Sequence, residues 1–379
     1  MNVRRPQPAP PPAPEAVTPP GPVDWRLLTL FMVILSVGLV AVLSASDHQS
    51  QRLYGNAYHF FHRQLLFMAL GGIAVLFLCW VPRSFINSLH YKGIAAVLFL
   101  LVLTLIFGKE IKGATRWLPL PFMNIQPMEF ARIALVLYLG YFLSTKQRIV
   151  KTFTRGFFPP ILVTLSICFL LMLQPDLGGT ILMLALLFLM CLGGGTNWKH
   201  LGLVILLALL GVAILIKIEP YRWARITAYL EPFANEQTSG YQIVQSLLAL
   251  GSGGIFGVGL GASVQKMRYL PEAHNDFIMA VVGEETGFVG LLVVMALFVL
   301  FFWRCYVVAL RQKELRDKLT AYGLTLIIAL SFTFNLGVVL GILPPKGIAM
   351  PFISYGGSSL LSNMICAGLL LHYSRTARE

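Results

Sequence analysis

Acidic side chains are scarce in this sequence: 16 Asp and Glu stand against 29 Lys and Arg in 379 residues, and only 12% of the chain is charged. That excludes an ordinary soluble domain, in which about a quarter of the residues carry charge. Cysteine is rarer still. Cys79, Cys168, Cys191, Cys305 and Cys366 lie in or beside apolar runs without CxxC or Cys-His spacing, which leaves disulfide and zinc roles unsupported and reads them as small core hydrophobes. Metal-ligand spacing of His, Asp and Glu is also missing. The net charge of +13 does not indicate nucleic acid, because Lys and Arg are dispersed between apolar runs instead of gathered on one face.

What the chain has in quantity is hydrocarbon: 57% of it is hydrophobic, with a mean hydropathy of +0.75. Several runs approach the roughly 20 residues that cross a hydrocarbon core of about 30 Å. Candidate spans fall at residues 25–45, 60–80, 91–107, 128–145, 159–174, 178–195, 199–217, 287–303, 319–342 and 355–373. The expected architecture is an all-α polytopic membrane protein, a bundle of ten transmembrane helices. A long extracytoplasmic loop, residues 218–286, separates the seventh helix from the eighth. Basic clusters such as Lys146, Arg148, Lys151 and Arg155, and Arg304, Arg311, Lys313, Arg316 and Lys318, mark the cytoplasmic loops, so both termini are expected inside.

Residues 1–22 hold nine prolines and read as a disordered cytoplasmic tail, leaving 23–379 as the membrane domain. Residues 237–265 carry no charge and could pass for an eleventh span. Six glycines between Gly251 and Gly261 argue against it, as does the outward turn it would impose on the basic 304–318 loop. The preferred reading is an amphipathic helix with Ile243, Val244, Leu247 and Leu248 on one face, then a glycine-rich loop at or dipping into the outer surface.

Against this background the stretch "YLPEAHNDFIMAVVGEE", residues 269–285, concentrates Glu272, His274, Asp276, Glu284 and Glu285. Asp276 meets the apolar run Phe277, Ile278, Met279 where the outward loop enters the next helix. Such surroundings favour proton uptake, which suits a general base, although a helix cap is an equally simple role. His274 is a relay or a hydrogen-bonded loop residue; Glu284 and Glu285 could pair with basic groups, bind a cation or pass protons. By contrast, Asp24, Asp47 and Asp317 read as solvated caps.

Three further outward islands carry charge. In "GKEIKGATRWLPLPFMNIQPMEFAR", Lys112 and Arg116 suit an anionic head group or lipid snorkelling, and Glu129 and Arg132 stand three apart as an internal pair. Asp176 in "LQPDLGGT" is a cap for the following helix or a buried charge with a partner. In "GILPPKGIAMPFISYGGSSLLSNM", Lys346 is the basic residue and Ser358 one of several hydroxyls. Arg222 and Arg225 open the long outward segment.

The motifs "KGATRW", "IQPMEFAR", "QPDLGGT", "RITAYLEPF", "GYQIVQSLLALGSGGIFGVGLG", "YLPEAHNDFI", "GEETGF" and "LPPKGIAMPFISYGGSSLL" resemble, in this order, those of the SEDS (FtsW/RodA) family of bacterial cell-wall glycosyltransferases. The last motif and the N-terminal extension are closer to the cell-division branch than to the elongation branch. The resemblance implies polymerisation of lipid II into glycan strands at the outer face of the cytoplasmic (inner) membrane, at the division septum. It makes Asp276 the catalytic base and undecaprenyl pyrophosphate the leaving group, with Lys112, Arg116, Arg222, Arg225 and Lys346 offsetting pyrophosphate charge. Glu129, Asp176, His274, Glu284, Glu285 and Ser358 would support the site.

The resemblance also implies a class B penicillin-binding protein (an FtsI-like transpeptidase) as partner, with FtsQ, FtsL and FtsB, and a divalent cation, Mg or Mn, as a possible assistant. Met128 and Asn275 replace hydroxyl residues that are usual in the family. A lipid II flippase and a non-catalytic divisome scaffold are the alternatives; the product formed from lipid II separates them.

Overall fold

The computed structural model describes residues 21–111, 113–120, 123–218, 229–236, 240–268, 270–271 and 273–376. Every one of the ten apolar segments forms a helix. They are α1 (Trp25–Tyr54), α2 (His59–Trp80), α3 (Arg83–Phe107), α4 (Pro127–Thr145), α5 (Phe158–Leu173, entered through a π turn), α6 (Leu177–Gly193), α7 (Trp198–Ile218), α10 (Ile278–Leu310), α11 (Leu315–Val339) and α12 (Gly357–Thr376). Two shorter helices, α8 (Tyr241–Gly253) and α9 (Gln265–Arg268), lie in the segment between α7 and α10. Among the described residues, seven of the long segments are extended and apolar enough to cross a membrane, and α6 is a shorter apolar helix of 17 residues. The protein is a multi-pass helical membrane protein.

Its exposure pattern is that of a protein dissolved in lipid. Phe77, Phe99, Ile106 and Phe169 point outward, while Gln64, Glu129, Arg132 and Asn335 are buried. The central helices are α4 and α11, with 78% and 61% of their most apolar windows inside the bundle; only 22% of the α10 window is. The described ends of the chain meet at one end of the bundle: Gly21 N–H donates to Arg375 O at 2.8 Å, and Arg304 pairs with Asp24 at 2.5 Å. An even number of crossings follows.

Helix α8 is too short for an eleventh span. Its 13 residues extend about 20 Å at 1.5 Å each, well under the roughly 30 Å core. Its buried face also differs from the expected one. Ile243 and Val244 are inside, but Ser246, Ala249 and Gly253 complete the stripe and Leu248 is exposed. Ser246 belongs inside because its hydroxyl has a partner, donating to Val339 O at 2.8 Å.

The chain is not wholly helical. A small antiparallel sheet, β1 (Lys109–Ile111), β2 (Ala114–Pro119) and β3 (Asn124–Ile125), follows α3 in the order β1-β2-β3. Asp24 and Asp317, expected as solvated caps, are mostly sequestered: Asp24 caps α1 through Leu27 N–H while meeting Arg304, and Asp317 pairs with Arg83 at 3.4 Å.

Helix α10 is broken. Gly287 takes φ 68° and ψ −169°, so the helix divides into Ile278–Thr286 and a longer limb beginning at Phe288. In an unbroken helix Phe288 N–H would bond to Glu284 O and Val289 N–H to Glu285 O. Instead the glycine-rich loop after α8 supplies the partners. Val258 N–H reaches Glu284 O (3.0 Å), Gly259 N–H reaches Glu285 O (3.1 Å), Phe288 N–H bonds to Gly254 O (2.9 Å) and Val289 N–H to Ile255 O (3.1 Å). The loop is spliced into the helix, and four bonds replace two.

Candidate functional site

The site is built where the segment leading into α10 meets the loop between α11 and α12. Asn335, a lone amide on α11, donates through Nδ2 to both Asp276 O and Ile348 O, each at 2.8 Å. Ser354 Oγ donates to Asn275 O at 2.6 Å and accepts from Met350 N–H at 2.9 Å. Tyr355 N–H donates to His274 O at 2.9 Å, and Gln64 of α2 donates to Ser354 O at 3.2 Å. Asp276 is therefore positioned by its neighbours' backbone bonds to two other elements. Its side chain is half-buried.

Gly347 adjoins that carboxylate: a Cβ there would lie 3.6 Å from Asp276 Oδ2, and its φ of +68° favours glycine independently. Lys346 precedes it. Burial pulls the Lys346 ammonium down to about 8, since removing the cation from water disfavours the charged form. Its backbone packs on the start of α6, where a Cβ on Gly178 would stand 3.1 Å from Lys346 O and 3.7 Å from Asp176 Oδ1.

Asp176 caps α6, accepting from Gly179 N–H at 3.0 Å, and also faces Arg116 of β2, 3.8 Å away. Both readings of Asp176 thus hold together. Arg116 additionally donates to Pro175 O. Asp276, Lys346, Asp176 and Arg116 form one connected region on four separate pieces of chain. Met128 packs here as well: its Cγ would be 2.9 Å from a Cβ on Gly179, so the thioether fills space beside the α6 N-terminus.

The remaining supporting residues have other partners. Glu129 and Arg132 form the expected internal pair, extended by Ser362 donating to Glu129 (2.8 Å) and Arg132 donating to Ser331 (2.6 Å), which ties α4, α11 and α12 together. Ser358 joins β3 to α12, donating to Asn124 O and accepting from Gln126 N–H. His274 is buried and stacks on Phe60 with centroids 4.6 Å apart.

Glu284 receives Ser263 Oγ–H and Val264 N–H, capping the α9 turn. Glu285 accepts from Ser44 Oγ on α1 (2.6 Å) and pairs with Lys266 at 3.1 Å; Lys266 also reaches Ser44 O (2.9 Å) and Asp47 (3.5 Å). These two carboxylates anchor the spliced loop and α1 to α10. Lys112, Arg222, Arg225 and Glu272 lie outside the described residues.

Sequence reading missed Asn335, Lys266 and Ser44. Asn335 had a signal, a single amide inside the apolar run "FTFNLGVVL". Ser44 had none, because its partner Lys266 is 222 residues away. Among the described residues no three His, Cys, Asp or Glu side chains converge as a metal-ligand group.

Comparisons agree along the whole membrane domain. The model of the FtsW/RodA/SpoVE family, described as cell cycle proteins, matches residues 24–379. A probable peptidoglycan glycosyltransferase FtsW of Geobacter sp. (strain M18) is 38% identical over 357 residues, covering 94% of this chain and 97% of that one. Stage V sporulation protein E of Bacillus subtilis is also 38% identical, over 361 residues, covering 94% and 98%.

Among solved structures, a chain of a peptidoglycan synthase complex that coordinates polymerization and crosslinking superposes with a TM-score of 0.79. It shares 30% identity, covering 94% of this chain and 99% of that one. The rod shape determining protein RodA of Thermus thermophilus superposes at 0.70 with 30% identity, covering 94% and 98%. With the family model matching residues 24–379 and relatives 38% identical across 94% of its length, the chain belongs to the FtsW/RodA/SpoVE family.

Proposed function

We propose that the protein is a peptidoglycan glycosyltransferase that polymerises lipid II, with Asp276 as general base. The observation that carries this is one half-buried carboxylate, held on rigid elements by Asn335 and Ser354, lying against Gly347, with the adjacent Lys346 packed on the start of α6 where Asp176 meets Arg116. A carboxylate alone could cap a helix; a carboxylate in the same region as a loop lysine and an arginine suits transfer from a pyrophosphate.

In the proposed step Asp276 takes the proton from the acceptor sugar's 4-hydroxyl. The oxygen attacks the donor anomeric carbon from the face opposite the pyrophosphate. The C1–O bond breaks, its electron pair leaves on undecaprenyl pyrophosphate, and the configuration inverts. Lys346 offsets charge developing on that leaving group. Arg116 contributes less, because Asp176 already neutralises part of its charge at 3.8 Å.

Helices and loops of the bundle hold the site at the outer surface of the cytoplasmic membrane in this reading, with ten crossings, both termini cytoplasmic, and action at the division septum. The even crossing number and the match to FtsW relatives support it. Its partner would be a class B penicillin-binding protein, as the synthase complex among the structural neighbours suggests; FtsQ, FtsL and FtsB would join through the division role.

The test is purified protein with its class B partner in liposomes, given labelled lipid II, comparing wild type with Asp276→Asn. Glycan chains from wild type and none from the folded variant are expected. Equal polymer from both would remove Asp276 from the chemistry, and leaflet transfer without polymer would favour a flippase.

A further inference from the structure

We infer that the glycine-rich loop 254–262 seats its apolar side chains in the outer leaflet of the membrane, as a lipid-contacting wedge bound to the break in α10. This holds whether or not the protein polymerises lipid II, because it rests on the membrane fold and its proposed orientation alone. Three observations combine.

The first is exposure. Ile255, Phe256 and Leu260 are 63%, 80% and 72% exposed, and Val258 is also exposed. In water such a cluster would be an uncompensated apolar patch. It continues directly onto α10, where Phe288, Val289, Leu292 and Val293 are exposed on the limb beyond Gly287.

Depth supplies the second. Trp303 and Trp25 are exposed beside the Arg304–Asp24 ion pair, a combination that marks a membrane–water boundary at the end of the bundle where the chain ends meet. From Trp303 to Phe288 the helix advances about 22 Å, at about 1.5 Å per residue. The hydrocarbon core is about 30 Å thick, and tilt shortens the advance. Phe288, and the loop bonded to it, therefore lie at or below the opposite edge of the hydrocarbon.

The third concerns the backbone, since non-helical chain at such depth is costly unless its polar groups are paired. Here Gly254 O, Ile255 O, Val258 N–H and Gly259 N–H are consumed by the splice into α10, and Gly257 N–H bonds to Gly253 O at 2.7 Å. No charged residue occurs from 237 to 265. The first charge after the loop, Lys266, is buried and turned inward onto Glu285 and Ser44. The side facing outward is hydrocarbon.

One alternative occupant is a transmembrane helix of a protein partner. The lipid reading is favoured because the exposed side chains of the loop and of α10 form one continuous apolar surface and residues 237–265 carry no charge.

The experiment uses the full chain in nanodiscs with an environment-sensitive fluorophore on Phe256→Cys, and in a second protein on Leu260→Cys. Both positions are exposed, so folding is preserved. Glu236→Cys, in the same outward segment, is the aqueous control, and the unlabelled background is read from the parent protein, whose cysteines are buried except for half-buried Cys79. Phospholipids brominated along their acyl chains are expected to quench positions 256 and 260 at least twofold more than position 236, and aqueous iodide to do the reverse. Iodide quenching at 256 and 260 equal to that at 236 would overturn the proposal. So would lipid quenching that disappears when a class B penicillin-binding protein is added, since the patch would then be a protein interface.

Discussion

Replacing Lys266 with Met strands the Glu285 carboxylate inside the bundle. Both side chains are 3% exposed and their charged atoms stand 3.1 Å apart, so solvent cannot compensate for either. Removing one member of a buried pair costs about 3–5 kcal/mol. The lower end applies here, because Ser44 Oγ stays within 2.6 and 2.7 Å of the two carboxylate oxygens and can donate to one of them. Glu285→Gln should cost a similar ~3 kcal/mol, the ammonium keeping Ser44 O at 2.9 Å and Asp47 at 3.5 Å.

The double variant Lys266→Met/Glu285→Gln removes both charges at once, and replacing a whole buried pair by neutral groups is often close to neutral. It should be destabilised by no more than either single change, a coupling of at least about 2 kcal/mol. Unfolding of the purified protein in mixed micelles, titrated with a denaturing detergent and followed by circular dichroism, measures all four corners of the cycle. Additivity of the two single changes within about 0.5 kcal/mol would refute the reasoning. A folded double variant that still polymerises lipid II would place the pair in architecture and not in catalysis.

Four other outcomes follow from the same contacts. Asp276→Asn should abolish glycan formation without lowering stability, read by product gel and by the same unfolding titration. Lys346, with its pKa drawn down from 10.5 to about 8 by burial, is charged below that pH and neutral above it. Substrate KM should therefore rise as pH climbs through about 8, and Lys346→Arg should flatten the rise by keeping its charge. Between about 8 and 10.5 the unfolded chain binds the extra proton, so this group makes stability increase with pH there, and unfolding cannot explain the loss. Gly257→Ala should be far worse than Gly261→Ala: both have positive φ, costing roughly 1–2 kcal/mol, but a Cβ on Gly257 would stand 2.2 Å from Glu285 O while Gly261 faces open space. Yields of folded protein should separate the two variants. Fluorophores at positions 256 and 260 should be quenched from the lipid side, as set out above.

The sequence by itself determined the solvent, the order of the elements and the chemical class. Hydropathy is a local property, so each of the ten apolar segments became a helix, and the ordered motifs carry the family resemblance on their own. It also located Asp276, Lys346, Arg116 and Asp176, because a charge in an apolar chain is expensive and so conspicuous. Asp176 shows the limit: cap and ion pair were both legible as possibilities, and the geometry holds both.

What only the tertiary structure decided was the division of labour among those charges. Glu284 and Glu285 sit in the same short acidic run as Asp276, yet one caps α9 and the other is held by Lys266 and Ser44. Their partners come from elsewhere in the loop and from α1, and no local pattern encodes such a pairing. The break at Gly287 was hidden for the same reason. A glycine in an apolar helix is unremarkable in sequence, and it became a break because a distant loop was present to take over its hydrogen bonds.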